Sequence, residues 1–169
     1  MDQGNLLSWL RLLHVLAAFG FVAMHGVSIY VLVRLRQDRE PASVRALLNL
    51  SVASLGPAYA FLGLILVTGI ASGIVGGYWT SGRLWIWASL VVLVAVFLFM
   101  SWVATGYFGR LRGAAGLEYQ LRGRKFQAGE PDDAALAAVL EGPSPLASIL
   151  GVGGVGLAVL IWLMVMKPF

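Results

Sequence analysis

Four long runs of apolar residues without an acidic or basic side chain constrain this chain more than any other feature. A helix rises about 1.5 Å per residue and the hydrocarbon core of a bilayer is roughly 30 Å thick, so about 20 apolar residues span it. These runs, of which the first covers residues 12–33, predict membrane-spanning helices over about residues 9–33, 50–75, 84–109 and 146–166. We therefore expect an all-α, polytopic membrane protein whose single domain, residues 1–169, is a four-transmembrane-helix bundle.

The composition excludes most soluble classes of protein. Hydrophobic residues make up 59% of the 169 residues and charged residues only 12%, whereas soluble domains average about 25% charged. The chain has no cysteine, which excludes disulfides, thiolate metal sites and cysteine nucleophiles. No Asp or Glu lies within a predicted span, which argues against a proton-driven transporter, and no hydrolase motif is present.

The distribution of Lys and Arg predicts the orientation. Nine of the 12 basic residues lie in two loops: Arg34, Arg36, Arg39, Arg45, Arg110, Arg112, Arg122, Arg124 and Lys125. Only Arg11, Arg83 and Lys167 flank the opposite ends of the spans. The positive-inside rule therefore places both basic loops in the cytoplasm and both termini outside, N-out and C-out. The net charge of +4 indicates topology, and we expect no nucleic-acid partner.

The cytoplasmic loop of residues 110–145 is the only sizeable part outside the predicted spans. Within it, Pro131 and two aspartates precede an apolar segment that ends at Gly142, a pattern typical of a short helix. The loop is too small for a catalytic domain. We expect it to lie at the membrane surface or to contact a partner.

Small residues predict where the helices pack closely. Gly69, Gly73 and Gly77 recur at four-residue spacing in the second span, and Gly151 and Gly154 belong to a glycine-rich segment of the fourth. That segment, GVGGVG, matches the dinucleotide-binding pattern G-x-G-x-x-G. The pattern binds nucleotides only between a strand and a helix, so close helix packing is the interpretation here.

Two histidines of the first span are the candidate cofactor ligands. His14 and His25 are 11 residues apart, which is within about 20° of three full helical turns and about 16.5 Å of rise. They therefore share one face. Neutral imidazole is a good ligand for haem iron and for copper. The alternative is that each ring forms a hydrogen bond inside the bundle and holds no metal.

Counting ligands limits the haem hypothesis. Two haems with histidine on both faces need four histidines, and the chain has two. Either a parallel homodimer pairs each histidine with its copy, or a methionine is the sixth ligand, or the iron is five-coordinate. The candidate methionines are Met24, Met100, Met164 and Met166. Copper would also suit such a set, but the methionines form no repeated motif.

The sequence LLHVLAAFGFVAMHG, residues 12–26, resembles the opening helix of bacterial copper-resistance protein D-type membrane domains and of a related group of uncharacterised small integral membrane proteins. The haem-containing bacterial protoporphyrinogen oxidase opens with a similar helix. In that relative the histidine of the L-H motif is a haem axial ligand, a role that the resemblance implies for His14. This chain has Gly20-Phe21-Val22 where many members carry Trp-x-Gly-Gly.

Three hypotheses about function follow. The first is a small membrane protein that binds haem b through His14 and His25 and transfers electrons or handles haem. The second is a non-catalytic accessory subunit that packs as a homodimer or within a larger membrane complex. The third is a transporter of a metal or small solute, with a kink at Pro57 as its hinge. The location expected for all three is the bacterial plasma (inner) membrane, and no reaction is assigned.

Overall fold

The computed structural model describes residues 2–79, 82–121 and 123–169. Its elements in chain order are α1 (Gln3–Arg34), α2 (Pro41–Val75), α3 (Leu84–Ala114), β1 (Tyr119–Leu121), β2 (Arg124–Phe126), α4 (Asp133–Glu141) and α5 (Leu146–Met166). α1, α2, α3 and α5 are each long and apolar enough to cross a membrane. The predicted all-α, four-helix architecture is confirmed, and the chain is a multi-pass membrane protein.

Three of the spanning helices extend beyond the apolar runs that predicted them. α1 begins at Gln3, where the Asp2 carboxylate accepts a hydrogen bond from the N–H of Gly4. α2 begins at Pro41, a residue that suits a first turn because its missing N–H needs no partner there. α3 continues to Ala114. The apolar run corresponds to the part of the helix that lies in the hydrocarbon core of the membrane. The helix can continue beyond that core, where polar groups or water can pair with the N–H and C=O groups at its ends.

The short helix predicted in the 110–145 loop is present. Asp132 caps α4 by accepting a hydrogen bond from the N–H of Ala135 at 2.8 Å, and Gly142 ends the helix. Leu136 and Leu140, one turn apart, are buried beneath it. These two leucines therefore pack α4 against the end of the bundle.

A β-hairpin in the same loop was not predicted. β1 and β2 are antiparallel, and the stacked rings of Tyr119 and Phe126 lie 4.7 Å apart. Gly123, in the turn between them, has a φ of +79°, a conformation that favours glycine. Strands of three residues are too short to show an alternating pattern of apolar and polar residues, so the hairpin could not be predicted from such a pattern. Arg122, counted among the basic residues, lies outside the described residues.

The spanning helices form two pairs, α1 with α2 and α3 with α5, that contact each other little along most of their length. We call the end that carries loops 35–40 and 115–145 the basic end. There a buried cluster joins both pairs to α4; it includes Val31, Leu32, Leu48, Met100, Tyr107, Leu111, Leu136, Leu140 and Ile149. At the opposite end a smaller cluster forms around Trp85, Ile86 and Leu163.

Of the glycines in the second span, Gly69 lies against another helix, whereas Gly73 lies against a residue of the loop that follows α2. A Cβ on Gly69 would lie 3.1 Å from the His14 ring, and one on Gly73 would lie 2.5 Å from the Trp79 ring. Both glycines therefore allow a ring to lie against α2. Gly77 lies in the turn after α2, outside the helix, with a φ of +62°.

Gly151 and Gly154 of α5 do not face another helix among the described residues of this chain. No atom lies within 4 Å of a Cβ built on Gly151 or Gly154. The glycines that face α3 are Gly153, against Met100, and Gly156, against Val96. A shift of two residues along a helix rotates the side chain by about 200°, so the predicted pair points away from α3.

Candidate functional site

His14 is held against α2 by a defined hydrogen bond. Its Nδ1 atom lies 3.0 Å from the carbonyl oxygen of Ile65 and 3.1 Å from Thr68 Oγ1. The Thr68 hydroxyl itself donates to the Leu64 carbonyl at 2.6 Å. Because a carbonyl can only accept, the geometry requires a proton on Nδ1. In the neutral ring, the lone pair is then on Nε2.

His25 makes fewer polar contacts than His14. Its half-buried ring stacks on that of Phe21, with centroids 5.5 Å apart and planes 10° from parallel. No hydrogen bond to either ring nitrogen is found within residues 2–79, 82–121 and 123–169. Leu32 follows seven residues later, about 20° short of two turns, and is buried in the basic-end cluster. His25 therefore lies on nearly the same side of α1 as Leu32.

The two histidines lie on one unbroken helix, as the sequence predicted. α1 runs from Gln3 to Arg34, so the spacing keeps both rings on nearly one face and about 16.5 Å apart along the axis. A single haem cannot be held between them, because its two axial ligands approach the same iron from opposite faces. Each histidine would have to serve a separate haem.

The candidate methionines lie in different environments. Met24 is half-buried beside His25, whereas Met164 and Met166 are exposed near the far end of α5. Met100 is buried in the basic-end cluster, against which Ile29 also packs. A Cβ built on Gly153 of α5 would lie 3.3 Å from Met100 Cε, so Met100 packs between α3 and α5.

Thr68, the side chain that helps to orient His14, was not predicted as a site residue. Thr68 is the only threonine in α2 and is buried, and an isolated hydroxyl in an apolar run could have marked it as a partner for a histidine. Nor was a buried group of serines predicted, in which Ser28 Oγ lies 2.9 Å from Ser51 Oγ and Ser54 Oγ donates to the Ser51 carbonyl. These hydroxyls bind each other and the backbone.

The side chains available as metal ligands suit haem better than a free metal ion. In the part of the chain that the structure describes, no three His, Cys, Asp or Glu side chains are grouped so as to hold a metal ion. A free transition-metal ion bound by protein commonly needs three or four such ligands. Haem needs one or two, because its macrocycle supplies four nitrogens.

Comparison with family models, with curated proteins and with solved structures gives no match to this chain.

Proposed function

We propose that this chain is a b-type haem protein of the bacterial plasma (inner) membrane, with His14 and His25 as axial ligands, and that it transfers electrons or handles haem. One observation carries the proposal. Both imidazoles are half-buried in an apolar helix, yet Nε2 of His14 and the ring of His25 have no hydrogen-bond partner among the described residues. Within the hydrocarbon of a bilayer no water is present to pair with these nitrogens, so a ligand would satisfy them.

The surroundings of His14 fit an axial ligand. A metal-bound histidine almost always donates its other ring N–H to a carbonyl or carboxylate, which fixes the orientation of the ring. Ile65 and Thr68 surround Nδ1 of His14 in this way. The resemblance of residues 12–26 to the copper-resistance protein D-type helix supports the same residue. Bound haem would supply a one-electron couple between ferrous and ferric iron.

The surroundings of His25 suit a ligand held by packing. Phe21 stacks on the ring and restricts its rotation. Because one chain offers a single histidine at each depth, a second copy of the chain or Met100 would complete six-coordination at His25. At His14 a second copy fits best, since the candidate methionines of α3 and α5 lie at other depths or are exposed.

The test is the visible spectrum of the detergent-purified protein from haem-supplied cells, oxidised and then reduced with dithionite. We expect a Soret band and α and β bands that sharpen on reduction. His14→Ala and His25→Ala should each remove part of the absorbance, and the double variant should remove all of it. Thr68→Val, which keeps both rings, should retain haem with an altered spectrum. A colourless protein, or an unchanged spectrum in the double variant, contradicts the proposal.

A second candidate function is favoured by the outward face of α5. Gly151 and Gly154 present a flat strip of backbone with no neighbour within 4 Å, and small residues at such spacing let membrane helices approach closely. This face suits an accessory subunit that packs as a homodimer or within a larger complex. Gly154→Leu should then dissociate the assembly, as measured by light scattering in detergent, while Gly151→Ala should leave it largely intact. An unchanged mass for Gly154→Leu excludes this face.

A further inference from the structure

We propose that the hairpin of β1 and β2 lies in the headgroup layer of the membrane at the basic end, where Arg124 and Lys125 bind the phosphates of anionic phospholipids. The proposal is independent of haem binding. It is based on how the hairpin folds back along α3, on the depth of that contact in the membrane, and on two exposed basic side chains without acidic partners.

The chain reverses direction after α3, and β1 runs back alongside the last turns of that helix. Gly116, with a φ of +74°, lies in the turn that reverses it. The ring of Tyr119 lies 3.1 Å from a Cβ built on Gly113 and 3.6 Å from one built on Gly109, and Leu121 lies 3.5 Å from the latter. Each step along β1 therefore leads toward earlier residues of α3. The turn of the hairpin accordingly points toward the membrane.

The contact between β1 and α3 lies at the depth of the lipid headgroups. The uncharged run of α3 extends from Leu84 to Gly109 and is about 39 Å long at 1.5 Å per residue. The hydrocarbon core is only about 30 Å thick, and the bilayer with its headgroups about 40–45 Å. Because Arg83 and Arg110 bracket the run, both of its ends extend past the core into the headgroup layers. Gly109, and with it Leu121, therefore lies in the headgroup layer at the basic end.

β2 exposes its side chains at the same depth. Arg124 pairs with Leu121 and Lys125 pairs with Gln120, so these residues lie no further from the membrane than the contact with α3. Successive residues of a strand point to opposite faces, and Lys125 and Gln120 therefore project away from α3. All three residues of β2 are exposed, and 40% of Phe126 is accessible. Aromatic rings and long basic side chains are both typical of the membrane interface.

The charges of β2 have no acidic partner in the chain as far as it is described. The only ion pair among residues 2–79, 82–121 and 123–169 joins Arg45 to Asp133, at 3.0 Å. In the sequence, residues 110–129 contain five basic residues and a single acidic one, Glu118. In the headgroup layer the nearest anions are the phosphates of lipids, and basic segments beside a membrane span attract anionic headgroups. Charge and depth therefore favour the same ligand.

The test is fluorescence quenching in phosphatidylcholine nanodiscs with the full chain, which contains no cysteine of its own. A fluorophore is attached to Gln120→Cys, an exposed position paired with Lys125. The quencher is a trace of phosphatidylglycerol or of phosphatidylcholine that carries the same nitroxide at the headgroup end of one acyl chain. We expect both lipids to quench. Phosphatidylglycerol should associate roughly thirtyfold more strongly, since each of two basic residues near an anionic surface contributes about fivefold.

The double variant Arg124→Gln, Lys125→Gln should lose most of the preference for phosphatidylglycerol and still be quenched by both lipids. The matched control Arg34→Gln, Arg36→Gln removes two other exposed charges from the same end and should retain the preference. Equal association of the two lipids, or the same loss in both double variants, would overturn the binding of anionic headgroups by β2. A fluorophore at Gln120→Cys that neither lipid quenches would overturn the position of the hairpin in the headgroup layer.

Discussion

Replacing Arg112 with alanine is expected to lower the free energy of unfolding by roughly 2–4 kcal/mol, because buried hydrogen bonds from a charged donor contribute about 1.5–3 kcal/mol each and are partly compensated by water. Only 7% of this side chain is exposed, although it is an arginine. Its Nε donates to the Glu118 carbonyl at 2.8 Å. Its Nη1 lies 3.1 Å from the Leu48 carbonyl and 3.2 Å from Asn49 Oδ1.

These bonds matter because they join parts of the fold that otherwise contact each other little. Arg112 is on α3, whereas Leu48 and Asn49 are on α2, so the guanidinium links the two helix pairs. The bond to Glu118 also fixes the chain that leads into the β-hairpin. In the alanine variant, three acceptor oxygens at a largely buried position would lose their donor, and only water could replace it.

Unfolding in mixed micelles by titration with a denaturing detergent would measure the effect. Arg110→Ala is the matched control, because Arg110 is exposed, lies two residues away on the same helix and has no hydrogen-bond acceptor among the described residues. It should change the free energy of unfolding by no more than about 0.5 kcal/mol. Arg112→Lys should fall between the two, since an ammonium group cannot reach all three acceptors. Equal effects of the two alanine variants would contradict this role.

The membrane-spanning elements could be predicted because the requirement for an uncharged run is strict in a bilayer. Each span contains a long, mostly apolar run without charge, and the end of α3 differs by only a few residues from the expectation. The burial of Arg112 could not be predicted in the same way. In the sequence, Arg112 is one of nine basic residues assigned to the two basic loops. Only the packing of α2 against α3 shows that its guanidinium is a buried hydrogen-bond donor.

The candidate site could be predicted only in part, for a related reason. The spacing of His14 and His25 on one helix is a local property, and the unbroken α1 preserves it. The partner of His14 is more than 50 residues away, at Thr68, and depends on how α1 and α2 align. The same dependence on register explains why Gly153 and Gly156, rather than their neighbours two residues earlier, face α3.

The alignment of α1 and α2 also implies that the site and the packing of this helix pair are linked. His14 binds α2 near Thr68, Gly20 lies against Phe61, and Ser28 binds Ser51, so contacts follow one another along the whole pair. A change in the distance between the helices at Gly20 would therefore be transmitted to His14, about two turns away. Stability and the geometry of the imidazole should change together.

Gly20→Leu is expected to destabilise the protein by about 1–3 kcal/mol, because it inserts a side chain into a filled contact. A Cβ at this position would already lie 2.5 Å from the Phe61 ring. Either the ring must move or α1 and α2 must separate, and separation weakens the bonds from His14 to Ile65 and Thr68. Unfolding in mixed micelles measures the first effect, and the haem spectrum of the same variant measures the second.

Gly26→Leu is the matched control, since it is the same substitution on the same helix with nothing within 4 Å of its Cβ. Leucine is a better helix former than glycine by up to about 1 kcal/mol, so this variant should be neutral or slightly stabilised. The pair thereby separates overpacking from a general effect of leucine on α1. Equal stability of the two variants would mean that Phe61 moves aside without cost. In that case the contact at Gly20 would not set the distance between α1 and α2.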